Sequence, residues 1–308
     1  MNRKQGLIAA SAVLLIFVSA LHAFAQAGSN KSEEWQAVEQ AIGRSGQVQA
    51  DGAYKVSFPR GDLKVTVADV ELKPALALGG WVAFSKPGKD SMIMGDLVLT
   101  EDEVTPVMSS LENNGVQVTA VHNHVLHESP RIMYMHIGGH GEAVKLATAV
   151  KEAVALTKAP APKAPAAAQQ DIGIDTTAIE QALGHQGKVN GGVFQVTVPR
   201  AEAIHQGPAP AGGMKIPNSM GISTALNFQP TGNGKAAITG DFVLTGAEVN
   251  PVIRALRSNG IEVTALHSHM LDDEPRLFFM HFWANDDAVK LAKGLRAALD
   301  KTNSQKGK

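Results

Sequence analysis

The chain has 308 residues, of which 44% are hydrophobic and 19% are charged, the composition of a globular protein long enough for two ordinary domains. The formal net charge is −1, which gives no reason to expect a nucleic-acid partner, because such a partner would need a basic face. There is no cysteine, which excludes disulfides, a thiolate nucleophile, sulfur-ligated zinc and lipid attachment through an N-terminal cysteine. Any metal site must therefore use histidine, carboxylate and water.

The first 27 residues have the layout of a secretory signal peptide. Arg3 and Lys4 precede an apolar run over 7–18, and two A-x-A cleavage signals follow within 23–27. The apolar run is shorter than the roughly 20 residues that a membrane-spanning helix needs. The sequence therefore predicts a signal peptide over 1–27 and an exported chain, periplasmic or extracellular, that is soluble after cleavage and has no transmembrane segment in its mature form.

The rest of the chain is an internal repeat. Residues 95–147 align with 240–292 without a gap, so that GDLVLT matches GDFVLT and VTAVHNHVLHESPR matches VTALHSHMLDDEPR. Upstream, YKVSFPR (54–60) matches FQVTVPR (194–200). We predict a first repeat domain over 32–156, a Pro/Ala-rich linker over 157–170, and a second repeat domain over 171–302.

Each repeat reads as an α+β domain with a β-α-β-β-α core. In the second repeat, ITGDFVL predicts a strand, PVIRALRSNG a short helix, 261–269 and 276–283 two further strands, and 288–299 a final amphipathic helix. This order predicts a mainly antiparallel sheet with helices packed on one face. The Gly- and Pro-rich segment 201–220 lacks a matching pattern in the first repeat and is a candidate lid.

Three histidines recur at the same positions in both repeats. They are His122, His124 and His136 in the first and His267, His269 and His281 in the second. The H-x-H pair on a strand points two imidazoles to one face, which would also carry the preceding residues at positions 116, 118 and 120. If the next strand forms a hairpin with it, the third histidine joins that face.

Three converging imidazoles are typical of a transition-metal site, for which zinc is our first choice and copper, iron or manganese are alternatives. Glu128 and Asp273, in the loop between the two strands, are candidates for a further ligand or a catalytic proton-transfer group. A buried polar network or a metal-free catalytic histidine are the competing interpretations. His127 and His140 occur in the first repeat only and are weaker candidates.

Other repeated polar residues have structural interpretations. Thr100 with Glu103 fits a capping box, while Thr105-Pro106 offers an alternative helix start. Asp96 and its equivalent Asp241 follow a glycine and are interpreted as turn residues at the start of a strand. Two pairs of arginines also recur. We expect Arg131 and Arg276 to bind an anionic substrate or to pair with an acid. We expect Arg60 and Arg200 to face a ligand or solvent.

The long motifs GDLVLT…VHNH…MYMH and GDFVLT…LHSH…FFMHFWANDDAVKLA resemble the LppY/LpqO family of bacterial exported proteins over nearly the whole mature chain. That family is classed as a domain of unknown function, so the resemblance implies no reaction. Its lipid-anchored members carry a lipobox cysteine, which this chain lacks.

The sequence leads to an exported metal-binding protein with a three-histidine site in each repeat, in its enzymatic form a metal-dependent hydrolase. One alternative is a non-catalytic metal buffer or sensor. Another is a cell-envelope interaction module in which the histidines are structural. The expected partners are a metal ion and a small molecule or envelope component, with no nucleic acid.

Overall fold

The structure, a computed structural model, describes residues 33–161, 171–207 and 213–307. The predicted signal peptide and residues 162–170 of the predicted linker lie outside these ranges. Within the described residues, no helix is long and apolar enough to cross a membrane.

The first half of the chain forms a six-stranded antiparallel sheet with three helices. The strands run in the spatial order β1-β2-β5-β6-β9-β7. The elements are α1 (Glu33–Ile42), β1 (Gln47–Val48), β2 (Tyr54–Pro59), β3 (Thr66–Val67), β4 (Val70–Glu71), β5 (Gly79–Phe84), β6 (Ser91–Thr100), α2 (Glu101–Asn113), β7 (Gln117–His122), β8 (Glu128–Ser129), β9 (Ile132–Gly141) and α3 (Ala143–Val154).

The second half repeats this arrangement in the order β10-β11-β14-β15-β18-β16. Its elements are α4 (Thr176–Leu183), β10 (Gly187–Asn190), β11 (Val193–Pro199), β12 (His205–Gln206), β13 (Met214–Lys215), β14 (Ser223–Gly232), β15 (Lys235–Thr245), α5 (Gly246–Ser258), β16 (Glu262–His267), β17 (Asp273–Glu274), β18 (Leu277–Asp287) and α6 (Ala288–Leu299). The α+β class and the predicted β-α-β-β-α core are confirmed in both halves.

The segment 201–220 has a structural counterpart in the first repeat despite its different sequence. Strands β13, β12 and β17 form a small three-stranded sheet, and β4, β3 and β8 form its equivalent. In the second repeat, residues 208–212 of this segment lie outside the described ranges. The described part of the predicted lid thus pairs, through β12 and β17, with the segment that follows the second H-x-H pair.

Each sheet buries one face under its own helices. In the first repeat, Ile93, Leu97 and Leu99 of β6 pack with Leu111 of α2 and Leu146 of α3 in one apolar cluster. The second repeat builds the same cluster with its own residues. Because side chains alternate along a strand, Met94, Asp96 and Val98 must point to the opposite face of the sheet.

The opposite faces of the two sheets pack against each other. One interface cluster joins Met92 and Met94 of the first repeat to Val243 and Phe279 of the second. A further cluster joins residues of β6 and β9 to Trp283 of β18. Both faces of the central strands are therefore buried, which explains the nearly continuous apolar run of β6.

A β-bulge corrects the face that we predicted for the apolar stripe before the histidines. The pairing of β7 with β9 shifts between Val118 and Ala120, and that of β16 with β18 shifts at the equivalent point. Val116 and Val118 consequently pack under the helices, whereas Ala120 stands opposite His136. The extra residue reverses the face to which the following side chains point, so His122 points to the interface between the two sheets.

The capping-box interpretation of the helix start is confirmed. Helices α2 and α5 begin directly after Thr100 and Thr245. The Glu103 carboxylate accepts the Thr100 backbone N–H at 2.9 Å, and Glu248 accepts that of Thr245 at 2.7 Å. Each glutamate thus satisfies a backbone donor that the first turn of a helix leaves free.

The same glutamates bind the two arginines that we had expected to face a ligand or solvent, so that expectation was wrong. Arg60 and Arg200 are only 1% and 2% exposed. Arg60 Nη1 lies 2.6 Å from Glu103 Oε2 and donates to the Val98 carbonyl at 2.8 Å, and Arg200 pairs with Glu248 at 2.8 Å. These buried ion pairs join the end of β2 or β11 to the helix that follows the central strand.

Candidate metal centre

The recurring histidines come from the edge strand and its neighbour in each sheet. His122 ends β7 and His267 ends β16, while His136 and His281 lie within β9 and β18. The predicted hairpin-type register holds, because Ala120 is the partner of His136 and His122 is the partner of Tyr134. His136 is therefore diagonal to His122 on the same face of the sheet.

The six histidines form one cluster, not one triad in each repeat as the sequence suggested. The ring centroids of His122 and His267, which are equivalent residues, lie 3.5 Å apart. His124 stacks on His281 at 3.8 Å, and the equivalent contact of His269 with His136 measures 3.7 Å. The two triads merge because the sheets pack through the faces that carry them.

Hydrogen bonds between the repeats hold this arrangement in the loops beyond β7 and β16. Thr119 Oγ1 donates to the His269 carbonyl at 2.6 Å, and the equivalent Thr264 Oγ1 donates to the His124 carbonyl. Asn123 Nδ2 adds a bond to the Thr264 carbonyl at 3.2 Å. The backbone of each H-x-H motif is thus positioned by the other repeat.

Backbone acceptors fix the tautomer of two rings. His281 Nδ1 lies 2.7 Å from the Gly240 carbonyl, and His122 Nδ1 lies 2.9 Å from the Asn123 carbonyl. A carbonyl can only accept, so Nδ1 carries the proton in these two rings and Nε2 presents a lone pair. This is the arrangement that metal-ligating histidines adopt.

Several ring nitrogens of the cluster are buried without a hydrogen bond among the described residues. These atoms are Nε2 of His122, His124, His136 and His269, although a carboxylate oxygen of Asp96 or Asp241 lies within 3.5 Å of Nε2 of His124 and His269. The other two Nε2 atoms, of His267 and His281, face each other at 3.0 Å. Buried polar atoms are nearly always satisfied in folded proteins, so this group of converging nitrogens could hold a cation.

Three sets of histidines bring their ligand nitrogens within 4.8 Å of one another. The sets are His122 with His124 and His136, His122 with His267 and His281, and His136 with His267 and His269. Only the first equals a triad predicted within one repeat. The other two combine residues of both repeats, and any two of the three sets share a histidine.

Two aspartates that we had interpreted as turn residues belong to this cluster. Asp96 and Asp241 lie in the middle of β6 and β15, opposite His136 and His281 in the strand register. Asp96 Oδ2 is 3.5 Å from His124 Nε2, and Asp241 Oδ2 is 3.2 Å from His269 Nε2. The signal that could have identified them is their position on a central strand, where a charged residue is rarely buried without a partner or a role.

The glycine before each aspartate has a packing role. A Cβ atom built on Gly240 would lie 1.8 Å from the Ala225 carbonyl oxygen, and one on Gly95 would lie 2.8 Å from that of Trp81. The central strand therefore approaches its neighbour too closely for a side chain at this position. In the G-D pair, the glycine thus permits the close approach of the neighbouring strand, and the aspartate lies on the opposite face with the histidine cluster.

Burial sets the protonation of the cluster. It lowers the pKa of all six histidines below their ordinary value, and neighbouring imidazoles lower that of His124 and His136 further. Burial also raises the pKa of Asp96 and Asp241, and the nearby Asp241 carboxylate adds to the rise at Asp96. The centre thus favours neutral imidazoles, the form that binds metal.

A cleft of about 1270 Å³ between the repeats reaches the cluster. Its inner wall includes Asp96, His124, Asp241, His269 and His281. The outer parts of the cleft are lined by residues of β2, β5, β11 and β14. A small molecule entering between the two sheets would therefore meet both aspartates and several histidines.

The other predicted site residues, Glu128 and Asp273, begin the short strands β8 and β17 that follow the H-x-H pairs. The Glu128 carboxylate accepts the Ile132 N–H at 3.0 Å, and that of Asp273 accepts the Leu277 N–H at 2.6 Å. Among the described residues, neither carboxylate makes a hydrogen bond or ion pair with a histidine. Burial raises the pKa of Glu128 to about 7. Their catalytic role stays a prediction.

The remaining candidates are peripheral. Arg276 pairs with Asp273 at 2.8 Å, the acid-pairing alternative for this residue, while Arg131 is exposed. His127 has a left-handed backbone with φ of 59°. His140 contacts the Gln206 side chain at 3.0 Å on the surface and belongs to none of the candidate ligand sets.

Fold and site together define a duplicated α+β protein with a shared histidine centre. The chain belongs to the family described as Domain of Unknown Function (DUF1259), whose model matches residues 36–156 and again 177–301. The match bears out the prediction of two tandem copies of an uncharacterised domain. The more specific LppY/LpqO name stays a prediction.

No curated protein matches the chain. Among solved structures, a trimeric bacterial microcompartment shell protein, PduB, is similar with a TM-score of 0.21 and 10% sequence identity, over 83% of this chain and 90% of that one. A score this low does not indicate a common fold.

Proposed function

We propose that this chain is an exported metal-dependent hydrolase in which the six-histidine cluster binds a transition-metal ion. The observation that carries the proposal is the convergence of buried, unpartnered Nε2 atoms from both repeats. Zinc is the first choice, because neutral imidazoles with a nearby carboxylate suit it, and copper, iron and manganese are the alternatives. Export rests on the predicted signal peptide and accords with the resemblance to the LppY/LpqO family.

The six histidines named from the sequence are the proposed ligands. Every two of the three candidate sets share a histidine, so the arrangement described above suits one three-histidine ion at a time. This replaces our sequence-based hypothesis of two independent sites. Asp96 and Asp241, which approach His124 and His269, are proposed as further ligands or as groups that orient the imidazoles.

A metal held here would supply Lewis acidity to a water molecule and to a carbonyl or phosphoryl oxygen of the substrate. The protein must then accept a proton, and the cleft offers the Asp96 and Asp241 carboxylates for this step. Glu128 and Asp273, the candidates from the sequence, remain proposed proton-transfer groups. Glu128 is the better of the two, because its Oε2 is buried without a partner and its pKa of about 7 suits proton exchange near neutrality.

The cleft favours a hydrolase over the two alternatives. A metal buffer or sensor needs only a closed set of ligands, and an interaction module needs no polar atoms without partners. Here His124, His269 and His281 line a cleft large enough for a small molecule. A substrate could therefore reach an ion at the cluster.

Metal content of the exported, purified protein tests the proposal. The wild type should carry about one transition-metal ion, and His122→Ala/His267→Ala should carry none, because every candidate set contains one of these residues. The matched control, His124→Ala/His269→Ala, leaves the set of His122, His267 and His281 complete and should retain the ion. A wild type that stays metal-free after supplementation, measured by mass spectrometry, would refute the proposal.

A further inference from the structure

The cleft differs between its two halves at one pair of equivalent positions. In the first repeat, Lys55 of β2 lies on the cleft wall, and the equivalent residue of β11 is Gln195. Trp81 of β5 lies beside Lys55, and the strand register gives its equivalent in β14 as Ala225. The two repeats thus share the histidines and aspartates but not these neighbours.

Lys55 is a cation with few partners. Its Nζ lies 3.9 Å from the centroid of the Trp81 ring and 3.3 Å from the Ser219 carbonyl oxygen. Among the described residues, no carboxylate lies within ion-pair distance of it. Burial lowers the pKa of Lys55 to about 8, and Lys188 of the second repeat adds to the fall, while Asp96 and Asp51 oppose it. A partly buried cation without a carboxylate partner is costly unless an anion binds there.

The equivalent position in the second repeat cannot attract an anion by charge. Gln195 carries no charge, and its Nε2 already donates to the Ala75 carbonyl at 2.9 Å. Its Oε1 accepts from the Asn190 side chain at 3.1 Å. At this position the second repeat therefore carries a neutral side chain that is satisfied internally, whereas the first repeat carries a positive charge.

Lys55 is also well placed relative to the metal centre. Trp81 is the direct cross-strand partner of Asp96, and Asp96 is in turn the partner of His136. The row Trp81–Asp96–His136 therefore crosses the sheet from the lysine to the histidines on one face. Cross-strand partners are about 5 Å apart, so this row has the length of a small molecule.

We propose that Lys55 is the anchor for an oxyanion group of the substrate, a phosphate or a carboxylate, with Trp81 packed against the adjoining part of that molecule. The inference rests on the proposed function and specifies its substrate class as a small anion bound in one orientation. The oxyanion lies at Lys55, and the group to be cleaved lies toward Asp96 and the histidines. Because Lys55 has no equivalent in the second repeat, the two halves of the cleft perform different tasks.

Calorimetric titration with inorganic phosphate, and in parallel with acetate, tests the assignment. The variant Lys55→Gln introduces the residue that the second repeat already carries, so the strand should tolerate it. We expect the wild type to bind at least one of the two anions and Lys55→Gln to bind it at least about tenfold more weakly. Lys145→Gln, which removes an exposed lysine of α3 on the helix side of the sheet, should bind as the wild type does.

Each titration is run on metal-loaded and on chelator-treated protein, with metal content measured beforehand. Anion binding that depends on Lys55 in the chelated protein supports the anchor even if the metal proposal fails. A wild type that holds its metal but binds neither anion, or a Lys55→Gln variant with unchanged affinity, overturns the anchor and leaves the metal proposal standing. Phosphate preference over acetate would identify a phosphate site, and the reverse a carboxylate site.

Discussion

The rings of His122 and His267 stack with their centroids 3.5 Å apart, although 145 positions of the chain separate the two residues. They are equivalent residues of the two repeats, so their contact lies where the repeats meet symmetrically. Each belongs to two of the three candidate ligand sets, and together they belong to all three. The pair is therefore the element on which the whole centre depends.

The first prediction follows from this overlap. His122→Ala alone leaves the set of His136, His267 and His269, and His267→Ala alone leaves that of His122, His124 and His136. Each single variant should still bind one ion with reduced affinity, whereas the double variant should bind none. Titration with zinc against a competing chelator would measure this coupling. Loss of all binding in either single variant would contradict the overlap of the sets.

The second prediction concerns the buried ion pair between Arg60 and Glu103. Replacing Arg60 with Met leaves the Glu103 carboxylate buried without its cation, which should lower the free energy of unfolding by about 3–5 kcal/mol. Lys145→Ala, which breaks an exposed pair with Glu142, should change it by less than about 0.5 kcal/mol. Chemical denaturation followed by circular dichroism measures both. Equal changes in the free energy of unfolding for the two variants would show that the buried ion pair stabilises the protein no more than the exposed one does.

The third prediction concerns the glycines before the two aspartates. Gly240→Ala would force a Cβ into the Ala225 carbonyl, so it should destabilise the protein by at least about 1–3 kcal/mol and weaken metal binding through the adjoining Asp241. Gly246→Ala, at the start of α5, meets only ordinary contact at 3.6 Å and should be neutral or slightly stabilising. Thermal melting and metal content would distinguish the two variants. A Gly240→Ala variant as stable as Gly246→Ala would disprove the close approach of the strands.

The fourth prediction is the pH dependence caused by Glu128. Its pKa in the folded protein is raised from 4.5 to about 7, so the fold favours the protonated form. The unfolded chain loses this proton first, and stability therefore falls as the pH rises from about 4.5 through 7 and stays lower above it. Glu128→Gln keeps the neutral form and should raise the melting temperature at pH 8.5 but hardly at pH 5.

The exposed Glu112 of α2 provides the control for this measurement. Glu112→Gln should shift the melting temperature equally at the two pH values. If Glu128→Gln also showed no difference between them, the carboxylate would not be a buried proton acceptor, and its proposed catalytic role would lose its support.

Much of the fold follows from the sequence because the repeat and the strand periodicity are local signals. The β-α-β-β-α order, the capping boxes and the common face of each H-x-H pair with the third histidine all depend on residues close in the chain. The bulge at Val118 and Ala120 leaves no such signal, so the face assigned to the apolar stripe was wrong. A shift of one residue reverses every side chain before it.

The site itself was only partly predictable. The six histidines were evident from their spacing, but their union depends on how the two sheets pack, which no local pattern encodes. Asp96 was missed for the same reason: a carboxylate after a glycine resembles a turn residue unless both faces of the strand are known to be buried. Arg60 and Arg200 could not be assigned either, because their partners Glu103 and Glu248 are more than 40 positions away.

The contact of His122 with His267 also bears on why the domain is duplicated within one chain. A single repeat could build the same centre only by pairing with a second copy through a symmetric interface. Such a pair would dissociate at low protein concentration. Covalent linkage makes the contact intramolecular, with an effective concentration set by the linker instead of by the amount of protein. It also allows the two copies to carry different residues at equivalent positions, such as Lys55 and Gln195. Two identical subunits could not differ in this way.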